Sequence, residues 1–234
     1  MQLSEPARFA QAGLTDRALD QLAALGDLLL SAELNVIGTR QPLVIERQHL
    51  LDSVSVLSLP VVRGAASLVD VGSGGGLPGL VLAIALPELD VTTLESVGKK
   101  CAFIERTAKR LGLPNVTTVC QRAEEFGRSA GRARFDVAVA RAVAALPVLA
   151  ELCLPLVRRG GVFVAMKSAL SDQERIHGES ALAILGADSL VGHPADPFPG
   201  GDRRWLYVAE KTGDTPDRYP RRVGVPVRRP LGAT

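Results

Sequence analysis

The stretch "LVDVGSGGGLPGL", residues 68–80, sets five glycines and a proline directly after an apolar run. Glycine carries a large entropic cost on ordering, and proline has no N–H to donate. A chain that places them where a buried strand feeds a helix prepares its backbone for close approach by a ligand. Strands and helices alternate outward from this point. The spacing predicts strands at 67–71, 90–95, 115–120, 135–140 and 160–167. It predicts helices at 77–86, 98–112, 146–157 and 173–185, and a terminal hairpin from 188–193 and 203–211. Such alternation demands right-handed crossovers and a mostly parallel sheet, here seven-stranded, with helices on both faces. Helices at 15–34 and 46–57 precede it, so residues 1–60 read as a helical extension, 61–212 as an α/β domain and 213–234 as an irregular tail.

In a sheet of this kind ligands bind beyond the carboxyl ends of the strands. Asp70 ends the first strand, and Glu95 ends the second, 23 positions after Gly72. A carboxylate at that place is set to accept ribose hydroxyls. A dinucleotide site of the G-x-G-x-x-G form would put its third glycine at 77, where this chain has Leu77. Gly72, Gly74 and Gly76 follow the G-x-G-x-G spacing of methyltransferases instead. "RAEEF" (122–126) follows the third strand, where Ala123 and Glu124 suit recognition of an adenine by a backbone N–H and a carboxylate. The unit as a whole predicts a Rossmann-like class I fold that binds S-adenosylmethionine.

Composition narrows the setting. Cys101, Cys120 and Cys153 are odd in number and form no C-x-x-C pair, which argues against a disulfide framework or a metal site. The first residues lack the apolar core of a signal peptide, and no apolar run approaches the roughly 20 residues of a membrane span. A cytoplasmic monomer without membrane contact is expected. The net charge is +2, but residues 211–234 carry +4 and leave −2 on the remainder. A basic tail of that kind suits either a polyanion or simple solvation.

The residues also carry a family resemblance. "HLLDS" (49–53), "DVGSGGGLPG" (70–79), "ESVGKKCAFI" (95–104), "RAEEF" (122–126), "FDVAVARAVAAL" (135–146) and "AMKS" (165–168) resemble the bacterial 16S ribosomal RNA guanine-N7 methyltransferases, the glucose-inhibited division protein B family. "YPRRVGVPVRRPL" (219–231) is similar to a tail found in part of that family. "AMKS" departs from the family's L-K-G, and "NVI" (35–37) from its N-L-T. The resemblance implies S-adenosylmethionine contacts at Gly72, Leu77, Ala123, Glu124 and Arg141, to which the loop reading adds Gly74 and Glu95. It implies 16S ribosomal RNA or the small ribosomal subunit as partner and guanine 527 as target.

The absent motifs agree with that chemistry. No [DN]-P-P-[YF] follows the fourth strand, as an exocyclic-amine methyltransferase would require. No Pro-Cys pair offers a nucleophile for a pyrimidine carbon. Guanine N7 has a free lone pair and no proton to lose, so in-line positioning replaces general-base catalysis. Arg141 is expected to position either the methionine end or the target nucleotide, and Lys167 a phosphate or guanine O6. His49 and Asp52 share one helix face, at the cleft or in a local bond. The competing readings are a small-molecule methyltransferase and a non-catalytic nucleotide-binding regulator.

Overall fold

The structure, a computed structural model, describes residues 1–141, 144–198 and 204–232. Seven strands form one sheet in the order β3-β2-β1-β4-β5-β7-β6. They are β1 (Ser67–Val71), β2 (Asp90–Glu95), β3 (Val116–Cys120), β4 (Phe135–Arg141), β5 (Val157–Lys167), β6 (Val191–Ala195) and β7 (Arg204–Glu210). β1 to β5 pair in parallel, and β7 alone runs antiparallel between β5 and β6.

Besides the short turns within 42–63, the helices in chain order are α1 (Pro6–Gln11), α2 (Asp16–Leu30), α3 (Gly79–Ala85), α4 (Gly98–Leu111), the single turn α5 (Ala123–Phe126), α6 (Leu146–Cys153), α7 (Asp172–Leu185) and the single turn α8 (Val225–Arg228). Side chains alternate across the sheet, so each strand feeds two cores. Leu68, Val137, Val139 and Val164 pack on one face with Leu22, Leu25 and Leu29 of α2 and Leu80 of α3. Val69, Ala138, Ala140 and Phe163 pack on the other with Leu149 of α6, Leu182 of α7, and Tyr219 and Leu231 of the tail. No helix among the described residues is long and apolar enough to cross a membrane.

The differences from the sequence expectations have local causes. The helix expected from 77 begins at Gly79, whose N–H is held by Asp70 Oδ2 at 2.9 Å. A Cβ at Gly79 would stand 2.9 Å from that same oxygen, which explains the glycine. The helix expected to reach 157 stops at Cys153, because Pro155 cannot continue it; Val157 already belongs to β5. The helix expected at 46–57 is a winding composite, π-helical over Ile45–Leu51 and 3₁₀ over Ser55–Ser58. Single π turns are frequent at functional sites, and this one carries Gln48 and His49. The tail is irregular as expected apart from α8. Arg203, expected to open the last strand, and Ala142 and Val143 of the segment after β4 lie outside the described residues.

Register aligns the strand ends. Asp70 lies beside Thr93 and Val139, Arg141 beside Met166, and Lys167 beside Trp205. The carboxyl ends of β1, β2, β4 and β5 therefore share one edge with the first residues of the antiparallel β7.

Candidate active site

The glycine loop leaves β1 at that edge with Gly72, Gly74 and Gly76 at φ 75, 58 and 88, a region that only glycine enters readily. The Gly74 N–H donates to Glu95 Oε2 at 2.9 Å, and Glu95 Oε1 accepts the Ser96 and Val97 N–H groups at 2.7 and 2.9 Å. Three of the roughly four acceptor sites of the carboxylate are filled, and the remaining one is on Oε2. Asp70 is buried. Burial pushes its carboxyl up to about 6, and its Oδ1 has no partner among the described residues.

Two cavities open on either side of the loop. The first, about 400 Å³, is lined by Glu95, Ala123, Glu124, Val148, Leu152 and Val227, among others. The second, about 230 Å³, is lined by His49, Asp52, Leu77, Met166, Arg204 and Trp205, among others. Gly72, Gly74 and Arg141 border both. The two hollows thus meet at the glycine loop and one arginine.

Asp52 organises the charge of the His49 cavity. Its Oδ2 lies 3.4 Å from Arg141 Nη1, and its Oδ1 lies 3.6 Å from Arg204 Nε. Burial raises the Asp52 carboxyl and the two guanidiniums pull it back. His49 Nδ1 is 3.4 Å from Arg141 Nη2. Burial, then the charges of Arg141 and Arg204, drive the imidazole down to about 4, so it is neutral near pH 7. Trp205 stacks on Tyr207 with ring centroids 6.0 Å apart.

The structure brings together Gly72, Gly74, Glu95, Ala123, Glu124 and Arg141 around the first cavity, places Leu77 on the second cavity instead, and adds His49 and Asp52 at the cleft. It does not bring Lys167 to either cavity. The Lys167 ammonium donates to the Ala144 carbonyl at 2.9 Å and pairs with Glu174 at 3.1 Å. The same Glu174 oxygen accepts the Leu146 N–H at 2.8 Å, so Lys167 braces the start of α6. Sequence reasoning missed Arg204, Met166 and Val227. Arg204 carries no local motif, and Val227 lies in the family-like tail stretch without any spacing that points to the cavity; the hairpin and the tail deliver them.

The donor set suits an adenosyl ligand: apolar walls from Ala123, Val148 and Leu152, with a carboxylate at each end. The fold agrees. The chain is similar to the O-methyltransferase TomG from Streptomyces achromogenes in complex with SAM, at TM-score 0.56 and 19% identity, covering 83% of this chain and 90% of that one. It is similar to cofactor-bound Rv0187 from MTB, also at TM-score 0.56 and 19% identity, covering 92% and 99%. Sheet order, glycine loop and these neighbours define a Rossmann-like class I methyltransferase fold. Residues 19–193 match the model of the GidB family, described as rRNA small subunit methyltransferase G. Relatives bearing that description include one from Rubrobacter xylanophilus, 50% identical over 84% of this chain and 77% of its own. Another, from Lacticaseibacillus paracasei, is 42% identical over 97% and 99%. The chain belongs to the rRNA small subunit methyltransferase G family.

Proposed function

We propose that the chain transfers a methyl group from S-adenosylmethionine to N7 of a guanine in 16S ribosomal RNA, in the cytoplasm. The observation that carries this reading is the pair of cavities that, among the described residues, share Gly72, Gly74 and Arg141 as their common border. A donor in one and an acceptor in the other would face each other across that junction. The sulfonium of bound S-adenosylmethionine supplies an electrophilic methyl group. Glu95 and the glycine-loop backbone hold the ribose side, and Ala123 and Glu124 hold the adenine side. Leu77 and Arg141 border the junction on the acceptor side. Arg141 and Arg204 offer fixed donors for guanine O6 or a flanking phosphate, and Asp52 holds both in place.

No residue need take a proton, because N7 carries none. The cleft agrees with that. His49 is too weak a base near neutrality, and Asp52 is engaged by two arginines. Catalysis then rests on holding the base at near-attack distance and in line.

The test is methylation of small ribosomal subunits and of naked 16S ribosomal RNA from a strain lacking this gene, with base mapping of the product. One new 7-methylguanosine is expected. Methylation of another atom, or activity on small acceptors alone, would overturn the reading.

A further inference from the structure

We infer that the C-terminal segment, residues 219–229, is the outer wall of the adenine half of the cofactor cavity, with Val227 as its contact and Gly224 as the clamp on Glu124. This rests on the cofactor reading above and assigns it residues from a tail whose charge suited either a polyanion or simple solvation. Val227 lines the same cavity as Glu95, Ala123 and Glu124. Its side chain is 63% exposed, so it is open to a ligand in that cavity.

The segment is fixed, not draped. Tyr219, Pro226 and Leu231 are buried. Arg221 grips the wholly buried Glu151 with its backbone N–H and Nε at 2.8 Å and its Nη2 at 2.5 Å. Arg221 Nη2 also donates to the Arg229 carbonyl at 2.7 Å, which ties the two ends of the segment together. Between them Gly224, at φ +78, donates its N–H to Glu124 Oε1 at 3.0 Å. Glu124 Oε2 takes no donor among the described residues, so one carboxylate oxygen is oriented by the tail while the other is left for a ligand N–H. A wall fixed before the ligand arrives adds contact without the ordering cost of a closing loop.

The chemical signature is an effect on every adenine-containing ligand, whatever the rest of it. Calorimetry of the full chain and of Val227→Asp with S-adenosylhomocysteine and with methylthioadenosine tests it. The aspartate replaces an apolar contact and adds charge beside Glu124. Roughly tenfold weaker binding is expected for both ligands by the same factor. Because Val227 is exposed, the variant should keep the circular dichroism of the parent. Unchanged affinity for methylthioadenosine, or a loss seen only in RNA binding, would overturn the proposal. A parent protein that binds neither ligand would instead sink the cofactor reading itself. As a second measurement, saturating S-adenosylhomocysteine should slow tryptic cleavage after Arg228 several-fold, and an unchanged rate would count against the wall.

Discussion

Gly74 and Glu95 are joined directly: the glycine N–H donates to Oε2 of the carboxylate at 2.9 Å. The loop that follows β1 is thereby pinned to the end of β2, and the same oxygen keeps its one free acceptor site toward the first cavity. Glu95→Ala should weaken S-adenosylhomocysteine binding by about 1.5–3 kcal/mol, the worth of a charge-assisted hydrogen bond plus the loosened loop. The chain should remain folded, because the loop is only one of many contacts at the sheet edge. Calorimetry checks this, and unaltered affinity would remove Glu95 from the site.

Arg204 borders the His49 cavity and not the Glu95 cavity. Arg204→Ala should lower kcat/KM for ribosomal RNA by roughly ten- to a hundredfold through lost positioning and leave S-adenosylhomocysteine affinity unchanged. Asp52 would keep Arg141 as its partner in the variant. The reverse pattern, weaker cofactor binding with normal turnover, would exchange the roles assigned to the two cavities.

Buried Asp70 and half-buried His49, both near the loop, oppose each other in pH dependence. Folded Asp70 titrates near 6 against 3.8 when unfolded. The folded state therefore binds more protons in that window, and stability falls as pH rises through it, by up to about 3 kcal/mol. Folded His49 titrates near 4 against 6.5. There the unfolded state binds more protons, so stability rises with pH across the window and is lost as pH falls through 4. Relative to the parent, Asp70→Asn should gain stability steadily from pH 4 to 6, while His49→Asn should lose it from pH 4 to 6.5. Urea midpoints at half-unit pH steps decide the matter, and parallel curves for all three proteins would refute both assignments.

The tail arginines divide into two kinds. Arg221 is committed to Glu151, and Arg222, Arg228 and Arg229 are exposed. Replacing those three by Ser should flatten the log–log salt dependence of RNA binding by roughly 2 to 3. Arg221→Ala should instead destabilise the fold by about 3–5 kcal/mol, since it strands a buried carboxylate, with little effect on the salt slope. Titration of RNA binding at several salt concentrations, with urea unfolding alongside, separates the two effects. Equal slopes for the triple variant and the parent would leave those arginines as solvated surface.

The parallel half of the molecule was legible because its signals are local. β1, the glycine loop and Glu95 lie within the span 67–95, and "FDVAVA" alternates between the two cores as a strand with both faces covered should. The acceptor side was not legible to the same degree. Asp52 and Arg204 meet only because the antiparallel β7 returns beside β5, and no spacing in the chain announces that meeting. Val227 reaches the Ala123 cavity through a tail whose composition spoke of solvent. Lys167 shows the converse error. A lysine at the end of a strand on the binding edge promises a ligand contact, yet Glu174, seven residues on, engages it from the next helix. The helix ends missed by a few residues turn on single contacts, such as Asp70 to Gly79, that periodicity does not register.

The reversed direction of β7 makes the two halves of the cleft separable as parts. In a wholly parallel sheet every binding residue sits at the end of a strand that also builds the cofactor floor. Here Arg204 and Trp205 stand at the beginning of a strand whose described residues pair with β5 and β6 and with none of β1, β2 or β3. On the proposed reading, Arg204 and Trp205 form a detachable part of the acceptor side, while Arg141, His49 and Asp52 belong to the body that carries the cofactor strands. On the proposed function, exchange of residues 191–210 between relatives should alter the acceptor side while leaving strands β1 to β4 unaltered.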